Sequence, residues 1–222
     1  MKCAAVIPAF NESTRIRAVL EILCQAPNVD SIFIVNDAST DDTASVASAY
    51  AATSAKQVTV LSLPVNSGKG AAMHCGAMAT DAGAVLFLDA DLVGLTVNQV
   101  QDMTLAVTGG DVEMALGVFR GGQFWTTIAQ IIVPNISGQR CILRQLFLDV
   151  PNVAAARYGV ELAITNHVLA TGVRCSTVIL QDVTHPIKEL KIGIVRGTFA
   201  RMQMYIQMVP YMIRRLSSKR RK

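Results

Sequence analysis

Two aspartates one residue apart, Asp89 and Asp91, close the apolar run Leu86, Phe87, Leu88. Packing gives a buried strand no reason to end in two carboxylates, because ionised aspartates are seldom left against a core without a partner or a task. Side chains two apart on a strand share a face, so both carboxylates project the same way from its carboxyl end. Two hard oxygen ligands so placed suit Mg²⁺ or Mn²⁺ carrying a diphosphate, since these ions take one or two carboxylates and complete their shell with phosphate oxygens. The rival reading is structural, with the aspartates capping a following helix.

Three further groups share this position in the pattern. Asn11 and Glu12 follow a first apolar run, Asp37 follows a second, and Gly68-Lys69-Gly70 precedes a run of small residues. The last could offer backbone N–H groups, a helix N-terminus and an ammonium to a phosphate. Its rival is a turn carrying a solvated lysine. There is neither a G-x-G-x-x-G after the first run nor a G-x-x-x-x-G-K-[ST], which argues against an ordinary dinucleotide site or P-loop.

The elements that must hold these groups alternate along the chain. Residues 2–8, 31–35, 58–63, 84–88 and 112–118 read as strands. Helices are expected from the Asn11–Thr14 turn to about residue 25, after the polar turn at 36–43, and over 71–80 and 97–107. The strands are continuously apolar rather than alternating, which predicts an α/β fold with a mostly parallel central sheet and helices on both faces. In such open sheets ligands sit beyond the carboxyl ends of the strands, so the polar clusters should converge on one crevice.

These residues carry a resemblance. Val6-Ile7-Pro8-Ala9-Phe10-Asn11-Glu12, Val35-Asn36-Asp37-Ala38-Ser39-Thr40-Asp41, Asn66-Ser67-Gly68-Lys69-Gly70 and Leu88-Asp89-Ala90-Asp91 resemble, in order, the motifs of family 2 glycosyltransferases with the GT-A fold. The resemblance implies a nucleotide-sugar donor (UDP- or GDP-linked), inverting transfer and cytoplasmic chemistry. It sets Pro8, Asn11, Glu12 and Asp37 around the nucleoside, Asp37 accepting from a base N–H, and Lys69 near base or phosphates. Asp89 would face ribose and metal, and Asp91 would ligate the metal.

The second half is less patterned. Residues 123–134 and 142–148 read as two short apolar helices around Ser137-Gly138-Gln139-Arg140, which is similar to an element of polyprenyl-phosphate sugar transferases that would set Arg140 on a phosphate. Tyr158-Gly159-Val160-Glu161 opens a helix, and Glu161 is the candidate base or acceptor-orienting acid, against the reading of a favourable acid in a first turn. The family's usual acidic pair is missing there, although a phosphate acceptor, already anionic, needs no strong base. Residues 173–183 read as a last strand, and His185 after it is similar in position to the family's third metal ligand. Neutral imidazole suits Mn²⁺ better than Mg²⁺. Lys188 and Lys191 could then close over the diphosphate.

The 222 residues are 51% hydrophobic and 16% charged, with mean hydropathy +0.39, yet no uninterrupted apolar stretch of about 20 residues predicts a membrane span. The N-terminus lacks the pattern of a signal peptide. Five scattered cysteines without a C-x-x-C pair indicate neither a disulfide framework nor a zinc site. Residues 186–222 hold ten Lys/Arg against one acid, so the basicity belongs to the tail and residues 1–185 carry net −5. Phe199, Met202, Ile206, Val209, Ile213 and Leu216 recur at helical spacing before the basic end, which predicts an amphipathic appendage drawn to an anionic bilayer.

The expectation is a catalytic domain over 1–189 with a basic helical tail over 190–222, peripheral on the inner face of the membrane. The preferred acceptor is a polyprenyl phosphate, with a soluble phosphorylated or hydroxylated acceptor as the rival. Nucleic acid is not an expected partner, because the tail lacks interleaved aromatics. Oligomeric state is open, with a homodimer among the options. A nucleotidyltransferase would need a Gly-rich basic loop after the first strand, which Pro8-Ala9-Phe10-Asn11-Glu12 does not offer. A non-catalytic partner-binding module is the other alternative.

Overall fold

The computed structural model describes residues 1–120 and 137–185. The expected helix at 123–134, Lys188, Lys191, the domain boundary at 189/190 and the amphipathic tail lie outside the described residues.

Seven strands form one sheet in the order β3-β2-β1-β4-β6-β5-β7. They are β1 (Cys3–Ala9), β2 (Ser31–Asn36), β3 (Gln57–Ser62), β4 (Ala84–Phe87), β5 (Met114–Arg120), β6 (Arg140–Leu143) and β7 (Cys175–Gln181). β1 lies parallel between β2 and β4, and β3 extends β2 in parallel. Helices α1 (Ile16–Gln25), α2 (Thr43–Thr53), α3 (Lys69–Met78) and α4 (Val97–Thr108) alternate with these strands. The continuously apolar runs of β1, β2 and β4 bury both faces, while β3, at the sheet edge, is only partly buried.

Alternate residues of β1 feed two separate cores. Cys3, Ala5 and Ile7 pack with Ile16, Leu20 and Leu23 of α1 and Val100 and Met103 of α4, while Ala4 and Val6 pack with Ala72 and Met73 of α3. The second core also takes in α5 (Arg144–Leu148) and α6 (Val160–Thr171), where Phe147 tilts against Phe87 with ring centroids 4.5 Å apart. Burial of each large side chain stabilises the fold by about 1.5–3 kcal/mol before chain entropy is counted. Helix α4 begins at a capping box in which Thr96 accepts from the Gln99 N–H and Gln99 accepts from the Thr96 N–H.

One expectation is corrected. Residues 142–148 are not one helix: Arg140–Leu143 is a strand, antiparallel to both β4 and β5, and only Arg144–Leu148 is helical. Cys141 and Ile142 point to opposite faces and both are fully buried, one in each core. A three-residue apolar run, Cys141 to Leu143, has no period to distinguish strand from helix, so tertiary pairing decides. Strand β6 separates β4 from β5, and β5 then pairs in parallel with β7.

Candidate active site

The carboxyl ends of the first strands are joined by short polar side chains. Asn11 and Ala38, which follow β1 and β2, both turn the chain at positive φ (57° and 55°). The Asn11 side chain accepts from the Thr40 N–H at 2.8 Å, while the Asn11 N–H donates to Ser39 Oγ and the Glu12 N–H to Thr43 Oγ1. Asp37 is 4% exposed, and its two carboxylate oxygens accept from the Ser67 N–H at 2.7 Å and the Gly68 N–H at 2.8 Å. The loop after β3 is thereby fastened to the end of β2. Pro8 lies in β1 opposite Val35, one residue before the strand ends. Asp41 accepts from Thr43 and from the Ser13 N–H; burial pushes its carboxyl up, but these hydrogen bonds more than reverse that and hold it below the usual aspartate range.

The charged cluster begins one element further on. Lys69 opens α3, and its ammonium sits 2.6 Å from Asp89 Oδ1 and 2.6 Å from Glu161 Oε1. Glu161 stands in the first turn of α6, so the ion pair joins residues 92 apart in the chain. Burial alone would lower the Lys69 ammonium, yet the two carboxylates outweigh it and raise its pKa above the ordinary lysine value. Asp89 Oδ2 accepts from the Gln139 amide at 3.1 Å and lies 3.5 Å from His185 Nε2. His185 Nδ1 is 2.9 Å from Asp91 Oδ1.

His185 reaches Asp91 because residues 93 and 184 clasp, each N–H donating to the other's carbonyl at 3.0 Å. The Phe119 ring meets the imidazole edge-on at 5.1 Å. Burial pushes the His185 pKa down, but the Asp91 hydrogen bond and the charges of Asp89 and Asp91 raise it overall, with Lys69 opposing. One donor atom from each of Asp89, Asp91 and His185 lies within 4.8 Å of the others. Two carboxylate oxygens and an imidazole nitrogen form a donor set that fits Mn²⁺, and Mg²⁺ more weakly.

The structure thus brings Lys69, Asp89, Asp91, Glu161 and His185 into one connected group, and sets Asn11, Glu12 and Asp37 on the adjoining strand ends. Arg140 does not present its guanidinium to this crevice. It is fully buried and donates from Nε to Ser137 O at 3.2 Å and from Nη1 to Glu161 O at 3.4 Å, bracing the start of α6. Burial lowers its pKa to about 10, against the pull of Glu161 and Asp89, so it stays a cation at neutral pH.

Two residues of the cluster carried no signal by type. The pairing of Phe87 with Arg140 carries Gly138 and Gln139 alongside the aspartates. A Cβ at Gly138 would lie 2.6 Å from Lys69 Nζ and 2.8 Å from Asp89 Oδ2, so a side chain there would have to displace the Lys69–Asp89 contact. Gln139 is fully buried and its amide nitrogen bridges Asp89 and His185 (3.3 Å to Nε2). The signal that could have found them is their place in Ser137-Gly138-Gln139-Arg140, beside the arginine.

Residues 4–126 match the family model described as Glycosyl transferase family 2. Glucosyl-3-phosphoglycerate synthase of Mycobacterium tuberculosis (strain CDC 1551 / Oshkosh) is 33% identical over 195 residues, covering 72% of this chain and 59% of that protein. Dolichyl-phosphate beta-glucosyltransferase ALG5C of Trichomonas vaginalis is 36% identical over 95 residues, covering 39% of this chain and 28% of that protein. The chain therefore spans less than two thirds of the length of these relatives. Among solved structures, the Mycobacterium tuberculosis synthase in complex with Mn²⁺, UDP-glucose and phosphoglyceric acid superposes with TM-score 0.71 at 25% identity, covering 96% of this chain and 79% of that one.

Proposed function

The chain belongs to glycosyl transferase family 2, and on that premise we propose that it transfers a sugar from a UDP-sugar to an acceptor that carries a phosphate, with Mg²⁺ or Mn²⁺ as cofactor. The observation that carries this reading is the convergence of Asp89, Asp91 and His185 at the carboxyl edge of the sheet, donor atoms within 4.8 Å. The Mycobacterium tuberculosis synthase was solved with Mn²⁺ and UDP-glucose, and with Mg²⁺ and UDP, which supports both the ion and the base.

In this reading Asp89, Asp91 and His185 hold the ion, which when bound neutralises the diphosphate and eases its departure. Gln139 and Lys69 keep the Asp89 carboxylate aimed. Each Asp37 oxygen gives one lone pair to the 66–68 loop and retains another for a base N–H, so the same carboxylate shapes the nucleoside pocket and reads it. Pro8, Asn11 and Glu12 line the same side. Glu161, ion-paired to Lys69, orients the acceptor. An acceptor phosphate is already a nucleophile near neutral pH, which removes the need for the acidic pair that the sequence lacks.

The names of both relatives include a phosphate, one on dolichol and one on glycerate. The basic, amphipathic sequence of 195–222 supports a polyprenyl phosphate acceptor and peripheral membrane attachment. A second reading, a small soluble phosphorylated acceptor, is supported by the relative that aligns over 72% of the chain and so reaches past residue 126. Among the described residues no helix is long and apolar enough to cross a membrane.

The test is Mn²⁺-dependent turnover of UDP-glucose and GDP-mannose by the native chain and Asp91→Ala, with a prenyl phosphate and 3-phosphoglycerate as acceptors. Turnover that needs both Mn²⁺ and Asp91 is expected. No turnover with any donor, together with donor binding that Asp91→Ala leaves intact, sinks the enzyme reading. Liposome flotation with and without residues 195–222 decides the membrane part, equal recovery in the soluble fraction ending it.

A further inference from the structure

Position 157 holds an arginine where the backbone asks for glycine. Its φ of 46° and ψ of −118° interrupt the 3-10 segment Val153–Gly159 and match the first central position of a type II′ turn, which glycine normally fills. Of the other described non-glycine residues at positive φ, three are Asn or Asp, which tolerate it, and the fourth is Ala38 in the donor-side turn. A bulky residue at such angles is a real outlier, and strain of this kind persists where the surroundings over-determine it.

The surroundings here are the two residues flanking Lys69. A Cβ on Gly68 would come within 3.0 Å of Arg157 Cβ and Cγ and 3.1 Å of its Cα, and one on Gly70 within 2.4 Å of Val153 O and 3.2 Å of Arg157 N. The arginine backbone is thus clamped against the start of α3, four residues before Glu161. Its side chain is exposed and Nη2 donates to Asn66 Oδ1 at 3.3 Å, on the loop that Asp37 fastens.

Two cations near Glu161 are already engaged. Lys69 is committed to Asp89 and Glu161, and the Arg140 guanidinium faces inward onto carbonyls. A metal ion at Asp89, Asp91 and His185 would serve the donor diphosphate, which leaves an incoming phosphate monoester facing the carboxylate of Glu161. Arg157 is an exposed cation whose Cβ and Cγ lie against Gly68, next to Lys69, and its planar fork suits phosphate oxygens.

We propose that Arg157 is the acceptor-phosphate contact, aimed by its strained backbone, on the reading that this site transfers sugar to a phosphate-bearing acceptor. The rival role is a brace that only steadies Asn66. The two roles separate by titration calorimetry on the full chain. UDP with Mn²⁺ reads the donor side; inorganic phosphate, 3-phosphoglycerate and farnesyl phosphate, each added with and without UDP and Mn²⁺, read the acceptor side. The variants are Arg157→Gly, which suits the backbone angles, and Arg157→Lys, which keeps the charge.

Arg157→Gly is expected to weaken every phosphate that the native chain binds by about tenfold or more, leave UDP affinity within about twofold, and keep Tm equal or higher because strain is relieved. Arg157→Lys should restore part of the loss. Loss in Arg157→Gly of farnesyl phosphate binding alone or of 3-phosphoglycerate binding alone identifies a lipid or a soluble source, and supports the contact either way. The proposal is overturned by phosphate affinity unchanged in Arg157→Gly, by UDP affinity falling in parallel with it, or by a native chain that binds none of the three probes. A native chain that binds phosphate but not UDP overturns the donor reading while the phosphate titration still decides Arg157.

Discussion

The two sides of the crevice are held by different chemistry. On the β1-β2-β3 side, loops are joined by many short hydrogen bonds between backbone N–H groups and Asn11, Asp37, Ser39, Asp41 and Thr43. On the β4-β6 side a few buried charges do the joining, with Lys69 between Asp89 and Glu161, and Arg140 beneath. Losing one of many hydrogen bonds costs a graded amount, whereas removing one member of a desolvated charge group strands its partners. The first side should therefore tolerate substitution and the second should not.

The largest effect is expected from Lys69→Met, which leaves two carboxylates facing each other without a cation. The pair is 11–20% exposed, so the loss should fall near the lower end of the range for broken buried pairs, about 3 kcal/mol, read as a shift of the urea midpoint. Lys69→Met with Glu161→Gln should recover about 1 kcal/mol or more of that loss through coupling; strict additivity would show that the charges on this side act independently. Next comes Gly138→Ala, whose new methyl meets Lys69 Nζ and Asp89. Overpacking of this kind costs about 1–3 kcal/mol, and Mn²⁺ affinity by calorimetry should fall with it. A fully stable Gly138→Ala that binds Mn²⁺ normally would contradict the tight packing.

On the other side, Asp37→Ala removes two acceptors at once and should cost about 2 kcal/mol, because the Gly68 N–H it leaves is buried. A cost equal to that of Lys69→Met would erase the contrast between the sides. The smallest effect is on pH dependence. Asp41 has its pKa lowered in the fold, so its contribution is full above the ordinary aspartate value near 3.8 and is lost as pH falls through the lower folded value. Asp41→Asn should flatten the acid limb of the stability profile slightly and leave it unchanged above pH 5; a change near neutrality would mean that another group is responsible.

The same contrast governs what the sequence disclosed. Local order made the strand ends legible: the polar residues follow their strands within a few positions, so Asn11 and Asp37 on the first side, and Asp89 and Asp91 on the second, are readable in place. The ion pairs of the second side depend on how distant segments come together. Nothing local reveals that β6 runs antiparallel between β4 and β5, so Gly138 and Gln139 went unnoticed and Arg140 was read as facing a phosphate. His185 and Glu161 were found by resemblance, and their meeting with Asp91 and Lys69 is a product of tertiary contacts that no periodicity encodes.

The insertion of β6 also sets an order of events during synthesis. Strands β1 to β4 are complete once residue 87 has left the ribosome, yet the outer edge of β4 has no partner until residue 140 follows, and β5, made in between, cannot take that place in the final order. For that interval a nascent chain exposes an apolar strand edge, a template for wrong pairing. Chain elongation speed over residues 88–143 should therefore matter for yield more than it does earlier, and the finished site is assembled from its two ends only when the later strand closes the gap.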